Sequence, residues 1–141
     1  MKIKLTNLQK VLLCIFCFGI AFIGFIIKLP SGFRYVDKEL HSLFYFLAAA
    51  FLNILFAKRN VIIHALIFGF LYLFGIGIEY AQNYSNRFFH KRIHGRFDPE
   101  DVQANLKGLI IFSITWLIIT SIIFIYQQLN SYKLSRQKQS Q

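Results

Sequence analysis

The stretch VIIHALIFGFLYLFGIGIEYAQ, residues 61–82, decides the fold of this chain. It is apolar almost throughout and long enough to cross the hydrocarbon core of a bilayer, which needs roughly 20 residues of helix. Three further apolar runs, residues 8–29, 40–57 and 106–126, have the same character. We therefore predict an all-α, polytopic membrane protein whose four transmembrane helices form one compact bundle.

Composition supports a membrane protein and leaves little chain for a second domain. Hydrophobic residues make up 56% of the sequence and charged residues 16%, unlike ordinary soluble domains. We predict one domain over residues 1–130 and a polar C-terminal tail over residues 131–141. Lys28, Leu29 and Pro30 follow the first run where a signal peptide would have a cleavage site, so we expect this run to remain in the mature protein.

All 6 acidic residues fall on one side of this four-span topology. They are Asp37, Glu39, Glu79, Asp98, Glu100 and Asp101, and we call the membrane face that they define the acidic face. The opposite side, with both termini, carries Lys and Arg as its charged residues. A membrane protein that gathers its carboxylates in this way is expected to have a polar site there.

The orientation of the chain in the membrane is harder to predict from the sequence than the number of spans, because the 16 Lys and Arg residues divide equally between the two sides. Cytoplasmic loops usually carry the excess of these residues. The basic residues at the acidic face are interleaved with carboxylates, which favours a role in a site over a role as a topology signal. We therefore predict a bacterial inner-membrane protein with both termini in the cytoplasm.

Three polar stripes lie at the helix ends that meet at the acidic face. They are Asp37, His41 and Tyr45; Glu79, Gln82 and Asn83; and Asp98, Asp101, Asn105 and Gly108. Residues three or four apart share one face of a helix. Because chain direction alternates from span to span, we expect the three stripes to converge.

Glu79 is the most informative of these residues. An ionisable side chain within a span costs about 2.5–3.5 kcal/mol on insertion scales, so it usually faces the bundle interior and has a partner. Arg96, His41 or Arg34 could be that partner. The alternatives are a functional carboxylate, a structural ion pair, and an interfacial carboxylate that reaches water.

The start of the fourth helix has a capping sequence. Asp98 is placed to cap the helix, Pro99 occupies its first position, and Glu100 complements the helix dipole. Capping therefore explains Asp98 and Glu100. Asp101 and Asn105 lie deeper along the same helix, so they are the better candidates for a site.

The histidine and cysteine patterns are weaker indications of a functional site than the three polar stripes. His90 and His94, four residues apart, could present a metal with His41 and Glu79, but a basic interfacial segment is the favoured interpretation. We predict His64 to be an interfacial residue near the other surface. The C-x-x-C formed by Cys14 and Cys17 has no second pair, so packing is expected. We predict no metal, no cofactor and no nucleic-acid partner, and membrane lipids as partners.

A family resemblance follows from three ordered motifs. Asp37-Lys38-x-x-His41-x-x-x-Tyr45, Glu79-x-x-Gln82, and Arg96 through Asp101-x-x-x-Asn105-x-x-Gly108 resemble the signature of VanZ-like membrane proteins. The resemblance covers about residues 37 to 108 and includes the four-span architecture. It implies ligand-binding roles for Asp37, Lys38, His41, Tyr45, Glu79, Gln82, Arg96, Asp101 and Asn105.

The chain departs from that signature in two places. Arg96 and Asp101 are one residue closer together than in the family pattern, so Arg96 or Arg92 could occupy the basic position. Lys107 interrupts a stretch, next to Gly108, that is usually small and apolar. The resemblance implies a role in low-level resistance to the glycopeptide antibiotic teicoplanin, although family membership does not establish that activity.

Two classes of function remain open. In the first, a non-enzymatic envelope protein binds a lipid headgroup, a cell-wall precursor or another membrane subunit. In the second, a small intramembrane enzyme acts on a phosphorylated or glycosylated lipid. His41 or Glu79 would then be the general base, Arg96 and Lys38 would stabilise phosphate charge, and Asp101 is the candidate nucleophile.

Overall fold

The structure, a computed structural model, describes residues 5–26, 36–88, 90 and 97–139. Its helices are α1 (Asn7–Ile26), α2 (Asp37–Leu52), α3 (Val61–Phe88) and α4 (Pro99–Gln139), and α2 continues into one turn of π-helix, Asn53–Ala57. All four candidate spans are long and apolar enough to cross a membrane. These ranges contain no strand. The all-α, four-helix prediction is confirmed.

The helices extend beyond the apolar runs that predicted them. Helix α2 begins at Asp37, α3 continues to Phe88, and α4 covers Pro99–Gln139. A helix that leaves an apolar layer does not have to end there, because its backbone hydrogen bonds are internal. The predicted polar tail is consequently helical as far as Gln139.

Helices α2 and α4 form the closest contact in the bundle. A Cβ atom at Gly108 would collide with the backbone carbonyl oxygen of Ser42, so the two backbones touch at this point. Small residues permit this approach between helices in membranes. Lys107 is exposed and does not interrupt the contact. Around it lies the apolar core, formed by Tyr45, Ala49, Leu52, Ala57, Ile67, Leu71, Leu109, Phe112 and Trp116.

The end of the bundle opposite the acidic face contains a buried polar contact between α3 and the π-helical turn. His64 Nδ1 lies 2.8 Å from Asn53 Oδ1, and the imidazole ring stacks on the indole of Trp116 with a centroid separation of 4.2 Å. Only 7% of His64 is exposed. His64 lies at the predicted end of the bundle, but its ring is enclosed by an amide and an indole and is not exposed there.

Helix α1 packs at the edge of the bundle and is held near both of its ends. Lys10 Nζ donates to the carbonyl oxygen of Leu55 at 3.0 Å, and Gln82 Nε2 donates to the carbonyl oxygen of Phe25 at 2.8 Å. Cys14 is partly buried against the core. These contacts bring the end of α1 next to the acidic face.

Candidate functional site

One face of α2 supplies the first group of polar side chains at the acidic face. Asp37, His41 and Tyr45 are one helical turn apart; Asp37 is half-buried, while His41 and Tyr45 are buried. Lys38 lies on a different side of the helix, is half-exposed, and forms an ion pair with Glu100 of α4. The helix therefore directs its carboxylate and imidazole inward and its ammonium outward.

The first turns of α4 supply the second group. Asp98 Oδ1 accepts a hydrogen bond from the backbone N–H of Glu100 at 2.9 Å, which confirms the predicted N-cap. Asp101 is half-buried one turn later, and Asn105 is 2% exposed one turn beyond that. The cap thus fixes the start of the helix that carries Asp101 and Asn105 into the bundle.

A hydrogen bond joins the two groups. His41 Nδ1 lies 2.9 Å from Asn105 Oδ1. An amide oxygen only accepts, so Nδ1 carries the proton and donates. The other ring nitrogen, Nε2, then presents its lone pair towards Asp37, whose Oδ1 is 3.9 Å away. The ring of Phe25 packs on the imidazole at a centroid distance of 5.1 Å and helps to hold its orientation.

Asp101 completes a compact set of three ligand-type side chains. One atom from each of Asp37, His41 and Asp101 lies within 4.8 Å of the others. We call these residues the carboxylate–imidazole group. With the imidazole proton on Nδ1, the facing atoms are all hydrogen-bond acceptors. Such a group can hold a cation, or it can accept from hydroxyl, ammonium or water donors.

Glu79 of α3 lies beside this group and is only 1% exposed. Its Oε2 accepts a hydrogen bond from the backbone N–H of Asp98 at 3.2 Å. Its Oε1 has no hydrogen-bond partner among the residues that the structure describes. The carboxylate interacts electrostatically with His41, one of the three expected partners, and with Asp101; Arg34 and Arg96 lie outside the described residues.

Tyr45 is the second side chain with an unsatisfied atom. It is fully buried, and its hydroxyl oxygen finds no partner within the described part of the chain. Gly75 of α3 makes room for it: a Cβ there would lie 3.0 Å from Tyr45 Oη and 2.9 Å from Asn105 Nδ2. The glycine therefore lets two polar side chains approach the backbone of α3.

The structure separates the predicted site residues into those that meet and those that do not. Asp37, His41, Tyr45, Glu79, Asp101 and Asn105 converge inside the bundle. Lys38 faces outward, and Gln82 joins α3 to α1. Arg96 and His94 lie outside the described residues, so the predicted His90–His94 pair cannot be placed.

Two contributors were missed from the sequence. The backbone N–H of Asp98 binds Glu79, and Phe25 supplies both the ring on His41 and the carbonyl that accepts from Gln82. A backbone donor leaves no signal in side-chain identity. Phe25 is one of 17 phenylalanines in the chain, so composition could not single it out.

A groove of about 850 Å³ runs along the other side of the α2–α4 contact. Leu43, Phe46 and Ile111 contribute apolar side chains to its lining. Lys38, Lys107, Glu39 and Glu100 contribute charges of both signs. The groove begins at the acidic face and continues along the spans, so its chemistry suits an amphiphile, with a chain against the apolar side chains and a polar head near the charged residues.

Comparisons with protein-family models, curated proteins and solved structures found no match to this chain. The resemblance to VanZ-like proteins stays a prediction that depends on the motifs alone.

Proposed function

We propose that this chain is an envelope membrane protein that binds the polar head of a membrane-embedded ligand at its acidic face. The ligand would be a lipid or a lipid-linked cell-wall precursor. The bacterial inner membrane and cytoplasmic termini belong to the same proposal, as does the role in glycopeptide resistance implied by the VanZ-like motifs.

The observation that carries the proposal is the pair of buried, unsatisfied atoms Glu79 Oε1 and Tyr45 Oη. A buried polar atom without a hydrogen bond costs about 1–3 kcal/mol. Two such atoms beside the carboxylate–imidazole group favour a site that a ligand completes over one built for stability. The acceptor-rich lining suits a head with hydroxyl or ammonium donors.

The groove between α2 and α4 supports a ligand that is anchored in the bilayer. Its apolar lining lies along two membrane spans, and its lysines lie near the acidic face. A chain of a lipid could lie there while its head reaches the helix ends.

A second candidate function is an intramembrane enzyme that acts on a phospho- or glycolipid. The orientation of His41 favours it, because Asn105 holds Nδ1 and leaves Nε2 free to accept a proton. Asp101 would be the nucleophile, whereas Lys38, which was expected to stabilise phosphate charge, faces outward and is paired with Glu100. Separate Glu79→Gln and His41→Ala variants that retain the bound lipid but abolish its conversion would favour this candidate.

The test of the binding proposal is the identity of copurified lipid. The full chain is purified in a mild detergent, and bound lipids are compared by mass spectrometry for the wild type, Glu79→Gln and Tyr80→Phe. Tyr80 is the exposed neighbour of Glu79 and serves as the control. We expect one lipid class enriched in the wild type and control and lost from Glu79→Gln. Equal enrichment in all three proteins would refute the proposal.

A further inference from the structure

The carboxylate–imidazole group has the composition of a metal site. Asp37 and Asp101 offer carboxylate oxygens and His41 offers an imidazole nitrogen, all within 4.8 Å of one another. Ligand atoms at about 2.1 Å from a tetrahedral ion are about 3.4 Å apart, so modest side-chain rotation would close the set around an ion. Imidazole and carboxylate together suit Zn²⁺ or Mn²⁺ better than Ca²⁺.

The hydrogen bond between His41 and Asn105 fits the same interpretation. A histidine that binds a metal usually donates its other ring N–H to a carbonyl or carboxylate, which fixes the tautomer. Asn105 Oδ1 has this role here, because it accepts the hydrogen bond from His41 Nδ1 at 2.9 Å. His41 Nε2 and Asp37 Oδ1, at 3.9 Å, are too far apart for a direct hydrogen bond but leave room for a bridging ion.

The negative charge of the carboxylates around the group also favours the binding of a cation. Asp37, Asp98 and Glu79 each interact electrostatically with Asp101, and Asp98 also interacts with Glu79. Among the residues that the structure describes, Lys38 is a cationic side chain that interacts with Asp101, and it is already paired with Glu100. Carboxylates held this close are costly unless a positive charge compensates them.

An independent observation comes from α3. Glu79 is 99% buried, and its Oε1 has no partner among the described residues although the carboxylate interacts with both His41 and Asp101. Its other oxygen is held by the backbone N–H of Asp98. An anchored oxygen without a partner at this position can accept a hydrogen bond from a metal-bound water.

We propose that Asp37, His41 and Asp101 bind one divalent transition-metal ion at the acidic face, with Asn105 orienting His41 and Glu79 facing the ion. This inference goes beyond the proposed function, because it stands whether or not a lipid binds. It also differs from the metal set considered in the sequence, since it requires neither His90 nor His94.

The test measures metal directly and requires no activity. The full chain is purified in detergent with a histidine-free tag, and its metal content is determined by inductively coupled plasma mass spectrometry. Zn²⁺ and Mn²⁺ are then titrated by calorimetry. We expect about one ion per chain, and affinity reduced about 10–100-fold in Asn105→Ala, which removes the amide that orients His41 but none of the three proposed ligands.

Ligand and control variants complete the test. Asp101→Asn and Asp37→Asn should lose the ion, and Asp37 is a half-exposed first-turn residue whose substitution spares the core. Glu39→Gln removes an exposed acid at the same face and should bind like the wild type. A wild type that neither retains nor binds metal, or a folded Asp37→Asn variant with unchanged affinity, would overturn the proposal.

Discussion

His41 and Asn105 are 64 positions apart in the chain, yet their side chains meet at 2.9 Å inside the bundle. The contact ties α2 to α4 one to two turns below the acidic face, and it sets which nitrogen of the imidazole is free. Stability and chemistry at this face therefore depend on the same hydrogen bond.

We expect Asn105→Ala to lower the free energy of unfolding by about 1–3 kcal/mol, because it leaves the His41 N–H buried without an acceptor. Thermal unfolding in detergent checks this. Gln103→Ala, on an exposed position of the same helix, is the control and should change little. Equal melting temperatures for the two variants would show that the hydrogen bond adds nothing.

A matched pair of glycine substitutions tests the close contact of α2 with α4. Gly108→Ala places a methyl group against the Ser42 carbonyl, so we expect a loss of about 1–3 kcal/mol from overpacking. Gly77→Ala has no atom within 4 Å of its new Cβ and should be neutral or stabilising by about 0.5–1 kcal/mol. The melting temperature of Gly108→Ala should be lower than that of Gly77→Ala. The opposite order would contradict the close packing of α2 against α4.

Glu79→Gln should unfold at a temperature equal to or above that of the wild type. The amide oxygen can still accept from the Asp98 N–H, while the negative charge beside Asp98 and Asp101 is removed. Functional sites often show this exchange of stability for binding. Glu79→Leu removes the acceptor as well and should be less stable than Glu79→Gln. A clear loss of stability in Glu79→Gln would indicate that the charge is structural.

Topology can be tested with single cysteines in a chain whose Cys14 and Cys17 are replaced by alanine. His90 is exposed and follows α3, whereas Lys58 is exposed and precedes it, so the two positions lie on opposite sides of the membrane. With cytoplasmic termini, an impermeant thiol reagent should label His90→Cys in intact cells and Lys58→Cys only after lysis. The opposite pattern would reverse the orientation.

Much of the fold could be predicted because its determinants are local. The length of an apolar run is enough to predict a membrane-spanning helix. The Asp98-Pro99 pair predicts where α4 begins, because an N-cap binds the backbone N–H groups that directly follow it. Helical spacing also placed Asp37, His41 and Tyr45 on one face of α2. None of these inferences requires knowledge of a distant residue.

The rest depends on contacts between distant parts of the chain. Of the three partners expected for Glu79, His41 interacts with it, but the hydrogen bond comes from the backbone N–H of Asp98, a donor that nearly every residue possesses. His64 was expected at the surface because of Lys58 and Arg59 nearby, but Asn53 and Trp116 enclose it. These partners depend on how the helices pack against one another. The residue pattern within a single helix carries no information about that packing.

Helix α4 reaches far beyond the bundle that it helps to build. Its 41 residues span about 60 Å, twice the thickness of a bilayer core, and every side chain from residue 121 to residue 137 is exposed. The same rod carries Asp101 and Asn105 near its other end. One continuous helix therefore connects the two polar side chains at the acidic face with the exposed segment at the opposite end of the bundle.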